Sequence, residues 1–252
     1  MKPWLLICAA LPLLAAVWTP KAAPTMLIIG GDFGGYLSPC GCSEPMQGGL
    51  NRLGGLVAAT RQSGKTLVLL NGSITNKLGR QSELKAETVA ESVRAMASSG
   101  FNLTSQDARL GIGTVSAMQS LSGGKLVSTA LPEQPGREAG AFWITGFSTK
   151  QREIAASLES EPSKLEDSIR KSGGRPVILL LDGDLASARQ LAAQHRQIRL
   201  VVYSSAGKSP VIPQKEGNTW LVHPGERGTS ALRMVWDAGR WSSYQVVPLG
   251  PE

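Results

Sequence analysis

Two kinds of apolar pattern alternate along the chain. Short runs with no polar position inside them, such as "MLII" from Met26, "LVLL" from Leu67 and "VILLL" from Val177, read as strands buried on both faces. Between them lie polar stretches whose apolar residues recur three or four positions apart. "LNRLGGLVAATRQSG" puts Leu50, Leu53, Leu56 and Val57 on one helical face, and "ELKAETVAESVRAMASSG" is a long helix, with Ser82 as its predicted cap and a glycine at its end. "FNLTS", "KLVSTAL" and "AFWITGFS" are predicted strands, and this first half ends near Lys150. The second half repeats the alternation: "SKLEDSIRKSGG" as helix, "RPVILLLDGD" as strand, "ASARQLAAQHRQ" as helix and "IRLVVYSSA" as strand. "NTWLVHPG", "ALRMVWD" and "RWSSYQVVPL" follow without helices. A turn at Asp237-Ala-Gly-Arg240 predicts that the chain ends in antiparallel strands. The pattern as a whole predicts an α/β protein with covered sheets, and no internal repeat or low-complexity tract divides it.

The N-terminus departs from this pattern. Lys2 precedes an apolar run from Trp4 to Trp18, followed by "TPKAAPT", the layout of an export signal. Fifteen helical residues would span about 22 Å, short of a hydrocarbon core of about 30 Å, which favours cleavage. The small-residue site is poor, with Pro20 or Lys21 three positions before a cut, so a retained anchor stays open. The expected organisation is a signal peptide or N-terminal membrane anchor over residues 1–23 and a single domain over 24–252. The expected location is the periplasm or the periplasmic face of the inner membrane, with membrane contact if the N-terminus is uncleaved. The formal charge of +7 on 252 residues permits acidic partners. No Lys/Arg block exceeds two residues and aromatics make up 5%, which argues against nucleic acid.

Export bears on the cysteines. Without Cys8 in the leader, Cys40 and Cys42 are the only two, in a compartment where thiols oxidise. They fit a strained disulfide across Gly41, a soft-metal dithiol completed by Met46, or a pair of small loop residues. Phosphate-loop, Gly-x-Ser-x-Gly and haem-attachment spacings are missing.

The element order, with "LIIGGDFGGYLSPCGC", "GGLNRLGG" and "TLVLLNG", resembles the calcineurin-like metallophosphoesterases, in particular the 5'-nucleotidase type of domain. It is closer still to a degenerate exported bacterial subgroup with Pro-Cys-Gly-Cys followed by Gly-Gly-Leu-x-Arg. That subgroup usually has glutamate where this chain has Ser38. The resemblance implies a four-layer α/β/β/α sandwich of mixed sheets with antiparallel C-terminal strands. In active members two metals sit at the strand ends and orient a hydroxide around an in-line displacement. Here the motifs have decayed. Asp32-Phe33-Gly34 keeps the aspartate of Asp-x-His without its histidine, Asn71-Gly72-Ser73 stands for Gly-Asp, and Ser105-Gln106-Asp107 stands for Asn-His-Asp/Glu. Asp182 replaces a strand-end histidine, and Ser204 to Ser209 lacks Gly-His-x-His.

The whole chain holds two histidines, His195 on a polar helix face and His223 at a strand end. A divalent metal would have Asp32, Asp107, Asp182 and His223 as candidate ligands, an oxygen-rich set suited to Mg or Ca. The expected protein is a non-catalytic accessory subunit without a cofactor. The resemblance implies a protein partner, a membrane-bound cytochrome-containing complex. Tyr36, Pro39, Gly41, Gly48, Gly49 and Arg52 are the candidate recognition residues around the cysteines. The alternatives are a divergent metal-dependent phosphoesterase and a Cys-x-Cys redox or copper-handling protein.

Overall fold

The computed structural model describes residues 23–39, 46–150, 160–205 and 211–250. The chain runs β1 (Thr25–Gly31), α1 (Leu50–Gln62), β2 (Thr66–Asn71), α2 (Arg80–Ala95), β3 (Gly100–Asn102), α3 (Ser105–Ala108), α4 (Ile112–Leu121) and β4 (Leu126–Val127). It continues through β5 (Gly136–Ala139), β6 (Phe142–Ser148), α5 (Pro162–Lys171), β7 (Val177–Asp184), α6 (Leu185–Gln194) and β8 (Ile198–Ser205). The last strands are β9 (Val211–Glu216), β10 (Thr219–His223), β11 (Ser230–Asp237) and β12 (Arg240–Pro248). Two mixed six-stranded sheets result, ordered β12-β11-β1-β2-β3-β4 and β5-β6-β7-β8-β10-β9.

Successive strand residues point to opposite faces, and here both faces are buried, which is why the runs carry no polar position. Leu27 and Ile29 of β1 point into the space between the sheets, where they meet Ile144, Ile178, Leu180 and Val202. Ile28 points the other way, into a second core with Leu53 and Val57 of α1, Val89 and Val93 of α2 and Met118 of α4. A third core sets Leu165 and Ile169 of α5 and Ala188 of α6 against Leu179, Leu181 and Val201. The four layers are therefore helix, sheet, sheet and helix, as expected. Each fully buried leucine contributes roughly 1.5–3 kcal/mol, so all three cores contribute to the stabilisation.

Several elements differ from expectation. Ser82 is not the cap of α2: the helix begins at Arg80 behind Gly79, whose φ of 102° favours glycine, and Ser82 lies buried in the first turn. "FNLTS" leaves the sheet at Asn102 because Thr104 caps α3, and "KLVSTAL" pairs only at Leu126–Val127. Of the four residues predicted to share the buried face of α1, Leu56 is only half-buried, and Thr60 is buried instead. The tail is not wholly antiparallel, since β10 runs parallel to β8 and antiparallel to β9. The predicted β11–β12 hairpin forms, with Asp237 opposite Arg240 and positive φ at Ala238 (49°) and Gly239 (80°).

Candidate functional site

The C-terminal ends of β1 and β2 in one sheet and of β6, β7 and β8 in the other converge at one end of the sandwich. Crevices there take the ligand in open α/β folds. Asn71, the last residue of β2, binds the two sheets together. Its amide nitrogen donates to the carbonyls of Leu181 (3.0 Å) and Val202 (2.7 Å), and its oxygen accepts from Asn102 (3.0 Å). An aspartate could not donate, so the change that looked like a lost metal ligand has a structural role.

Asp32 leaves β1 with φ of 46°, and its Oδ1 accepts from the backbone N–H of Ser73 at 3.2 Å. Gly72 lies so close that a Cβ would sit 2.6 Å from the Asp32 side chain. Burial pushes Asp32 up to about 7; the Ser73 N–H opposes this, while the charge of Glu226 reinforces it.

Asp107 is fully buried in α3. It accepts from Ile74 N (3.0 Å), Thr75 N (3.2 Å) and the Thr104 hydroxyl (2.7 Å), and thereby ties the loop after β2 to α3. Burial outweighs these bonds and pushes it up to about 7.

Asp182, at the end of β7, is differently placed. Its Oδ2 accepts from Ser105 N (2.7 Å) and the Ser148 hydroxyl (2.8 Å), and its Oδ1 from the Ser204 hydroxyl (3.3 Å). The Lys150 ammonium lies 3.4 Å from Oδ1. Burial alone would raise this carboxyl, but the Ser105 N–H, the Lys150 charge and the Ser148 hydroxyl together hold it below the usual carboxylate range.

His223 ends β10 with no exposed surface, its ring tilted against Tyr203. Nδ1 accepts from Gly225 N (2.9 Å), which places the proton of the neutral ring on Nε2, and burial lowers the group to about 4. His195 is the C-cap residue of α6.

Asp32 and Asp107 each feel the charge of Asp182, and the charge of Lys150 acts on both Asp182 and Asp32. Among the described residues, no three His, Cys, Asp or Glu side chains form a metal-binding group. Two of the four candidate ligands are occupied by the protein itself, whereas Asp32 accepts a single bond and the buried Nε2 of His223 has no partner among the described residues. The Asp107 oxygens are engaged by two backbone N–H groups and a hydroxyl, Asp182 by three donors and an ammonium, and the lone pair of His223 Nδ1 by Gly225.

Beside this end lies the loop that carries the cysteines. Cys40, Gly41 and Cys42 fall outside the described residues, but the flanks are well anchored. Gly48 (φ 85°) and Gly49 (φ 106°) lead into α1; a Cβ on Gly48 would sit 2.8 Å from Arg227 O, and one on Gly49 3.0 Å from Pro39. Arg52, one turn into α1, reaches back to the carbonyls of Met46 (2.6 Å), Gly48 (3.3 Å) and Leu249 (3.2 Å). On the upstream flank, Arg227 lies 5.0 Å over the ring of Tyr36. The Gly-Gly-Leu-x-Arg stretch thus fixes the downstream flank, from Met46 onward. The sequence patterns do not single out Ser148 and Lys150. The available signal is their position just after a buried strand, where β6, β7 and β8 all deliver their ends.

No protein-family model matches the chain, and no curated protein sequence does. Solved structures do match. The chain is similar to a putative 5'-nucleotidase from Staphylococcus aureus in complex with alpha-ketoglutarate, with TM-score 0.73 and 14% identity over 91% of this chain and 55% of that one. It is similar to a 5'-nucleotidase precursor from Thermus thermophilus, with TM-score 0.71 and 17% identity over 91% and 55%. The fold is metallophosphoesterase-like. A novel phosphatase from Mycoplasma pneumoniae matches over 90% of this chain and 94% of its own, with TM-score 0.59 and 9% identity. The chain spans about half the length of the two nucleotidases. Likeness at these identities establishes the fold alone.

Proposed function

We propose that this chain is an exported, non-catalytic metallophosphoesterase-like protein that works by binding, as an accessory subunit on the periplasmic side of a membrane redox complex that contains cytochrome. The observation that carries the non-catalytic part is the Lys150–Asp182 contact. An ammonium stands beside Asp182, which unlike Asp32 and Asp107 is held below the usual carboxylate range, and three protein donors occupy the remaining lone pairs. A cation is thereby supplied by the chain itself. The loop whose downstream flank is anchored by Arg52, Gly48 and Gly49 is the partner-facing element in this reading. A Cys40–Cys42 disulfide would complete it.

The competing reading is a divergent phosphoesterase that loads a metal on Asp32, Asp107, Asp182 and His223, and the fold of its nucleotidase neighbours supports that alternative. Metal analysis and hydrolysis of a generic phosphodiester with added Mg, Ca or Mn separate the two. We expect no stoichiometric metal, no metal-dependent turnover, and co-purification with haem-bearing membrane protein. Two metals per chain with metal-dependent turnover would overturn the proposal.

A further inference from the structure

The end of the sandwich opposite this site carries a second concentration of chemistry. Three adjoining hollows of about 390, 360 and 440 Å³ share Arg199 as a common wall. Arg196, Lys215 and Arg240 surround it, all exposed, with Trp236 and Trp220 half-buried among them. Arg175 is answered by Glu138 at 3.0 Å, and Lys215 lies 4.7 Å over the Trp220 ring. The ion pairs seen among the described residues do not involve Arg196, Arg199, Lys215 or Arg240, and Asp237 stands opposite Arg240 at the hairpin. Glu216 stands at the rim of one hollow. Beneath this surface Trp236 packs edge-on against Trp241 at 4.7 Å, and Trp241 donates its indole N–H to the Arg199 carbonyl at 2.8 Å, so the patch rests on a rigid base.

The entry of the chain is at this same end. β1 begins at Thr25, directly opposite Trp236 in the ladder. The apolar run that ends at Trp18 lies seven residues upstream of Thr25, a tether of at most about 25 Å. Arginines and half-buried tryptophans, at the end of the sandwich where the chain enters its first strand, have the composition of a membrane-interface surface. Indoles suit the headgroup depth, and arginine and lysine side chains suit anionic phosphates.

We infer that the face formed by Arg196, Arg199, Lys215, Arg240, Trp220 and Trp236 lies against a bilayer and takes anionic phospholipid headgroups, with the strand-end site and the cysteine loop turned away from the membrane. The contact does not depend on whether the apolar run is cleaved. With the run retained, the patch sets the orientation and adds a salt-sensitive preference for anionic lipid to the anchoring; with it removed, the patch alone gives salt-sensitive reversible binding.

The test is flotation of the full chain with phosphatidylcholine vesicles, with and without phosphatidylglycerol, at low and high salt. Brominated lipids serve as a quencher of tryptophan fluorescence. The wild type is expected to prefer the anionic vesicles, to lose that preference in salt, and to be quenched. Both exposed arginines can be neutralised without touching the core, and the Arg196→Gln/Arg240→Gln variant should bind anionic vesicles roughly 30-fold more weakly. Its binding to phosphatidylcholine alone should be unchanged. Trp236→Phe should reduce the quenching, with the fold checked by circular dichroism. Equal binding of both vesicle types, or of wild type and double variant, would overturn the proposal. So would a double variant that keeps its vesicle binding but loses an acidic polypeptide held by the wild type, which would make the face a protein-docking surface.

Discussion

The ammonium of Lys150 stands 3.4 Å from Oδ1 of Asp182, a carboxylate with a side chain only 2% exposed. The lysine itself is 48% exposed, so solvent weakens the pair towards the surface value. Lys150→Met is expected to cost about 1–2 kcal/mol at neutral pH, because Asp182 keeps its three hydrogen bonds but loses its counter-charge. Asp182 is held below its unfolded range, so its stabilisation is present above that range and is lost as pH falls through the folded value. Urea titrations of wild type and variant should therefore converge in strong acid. A difference that persists there would show that the lysine acts through packing.

Asp32 and Asp107 behave in the opposite way. Both are pushed up to about 7 by burial, so the folded protein holds their protons where the unfolded chain has released them. Their contribution is complete below about pH 4 and fades as pH rises to about 7. His223, lowered to about 4, opposes them, since its contribution is present above about 6.5 and is lost on acidification. Between about pH 4 and 6.5 the folded state holds one proton more than the unfolded state on these three groups. Their combined stabilisation should then fall by about 1.4 kcal/mol per pH unit as pH rises. Denaturant titrations at pH 5 and pH 7 would measure it. Asp107→Asn should flatten the slope, and a variant with the wild-type slope would refute the assignment.

Gly48→Ala would force a side chain into positive φ and bring its Cβ to 2.8 Å from Arg227 O. A loss of about 2–3 kcal/mol is expected by chemical denaturation. Arg52→Met, which frees three carbonyls, should cost about 2 kcal/mol. If Gly48→Ala were neutral, the loop flank would not be held as described.

The chain contains three cysteines. A Cys40–Cys42 disulfide predicts one free thiol, Cys8, in the oxidised full chain and three after reduction, counted under denaturing conditions. Three thiols before reduction would leave the dithiol readings.

The buried strands could be read from the sequence because a strand covered on both faces admits no polar residue, and "VILLL" has one interpretation. The edge strands could not. β5, "GREA", and β9, "VIPQKE", are half-solvated and lack an apolar run, and both lie at the margins of their sheet. The site was legible in part: Asp32, Asp107, Asp182 and His223 were all found at strand ends or just beyond them. The partners of Asp182 were not. Ser148 lies 34 residues away and Ser204 22 residues away, and only the pairing of β6, β7 and β8 brings them together. The bridging role of Asn71 is not legible for the same reason, since the two carbonyls it donates to belong to the other sheet.

The amide of Asn71 also has a mechanical consequence. One side chain from the first sheet grips the backbone of two strands in the second, at the end where the loops gather. Sliding of one sheet over the other would break two buried hydrogen bonds at once and strand their carbonyls. Relative sliding of the two sheets is thereby opposed at the end where the candidate site lies.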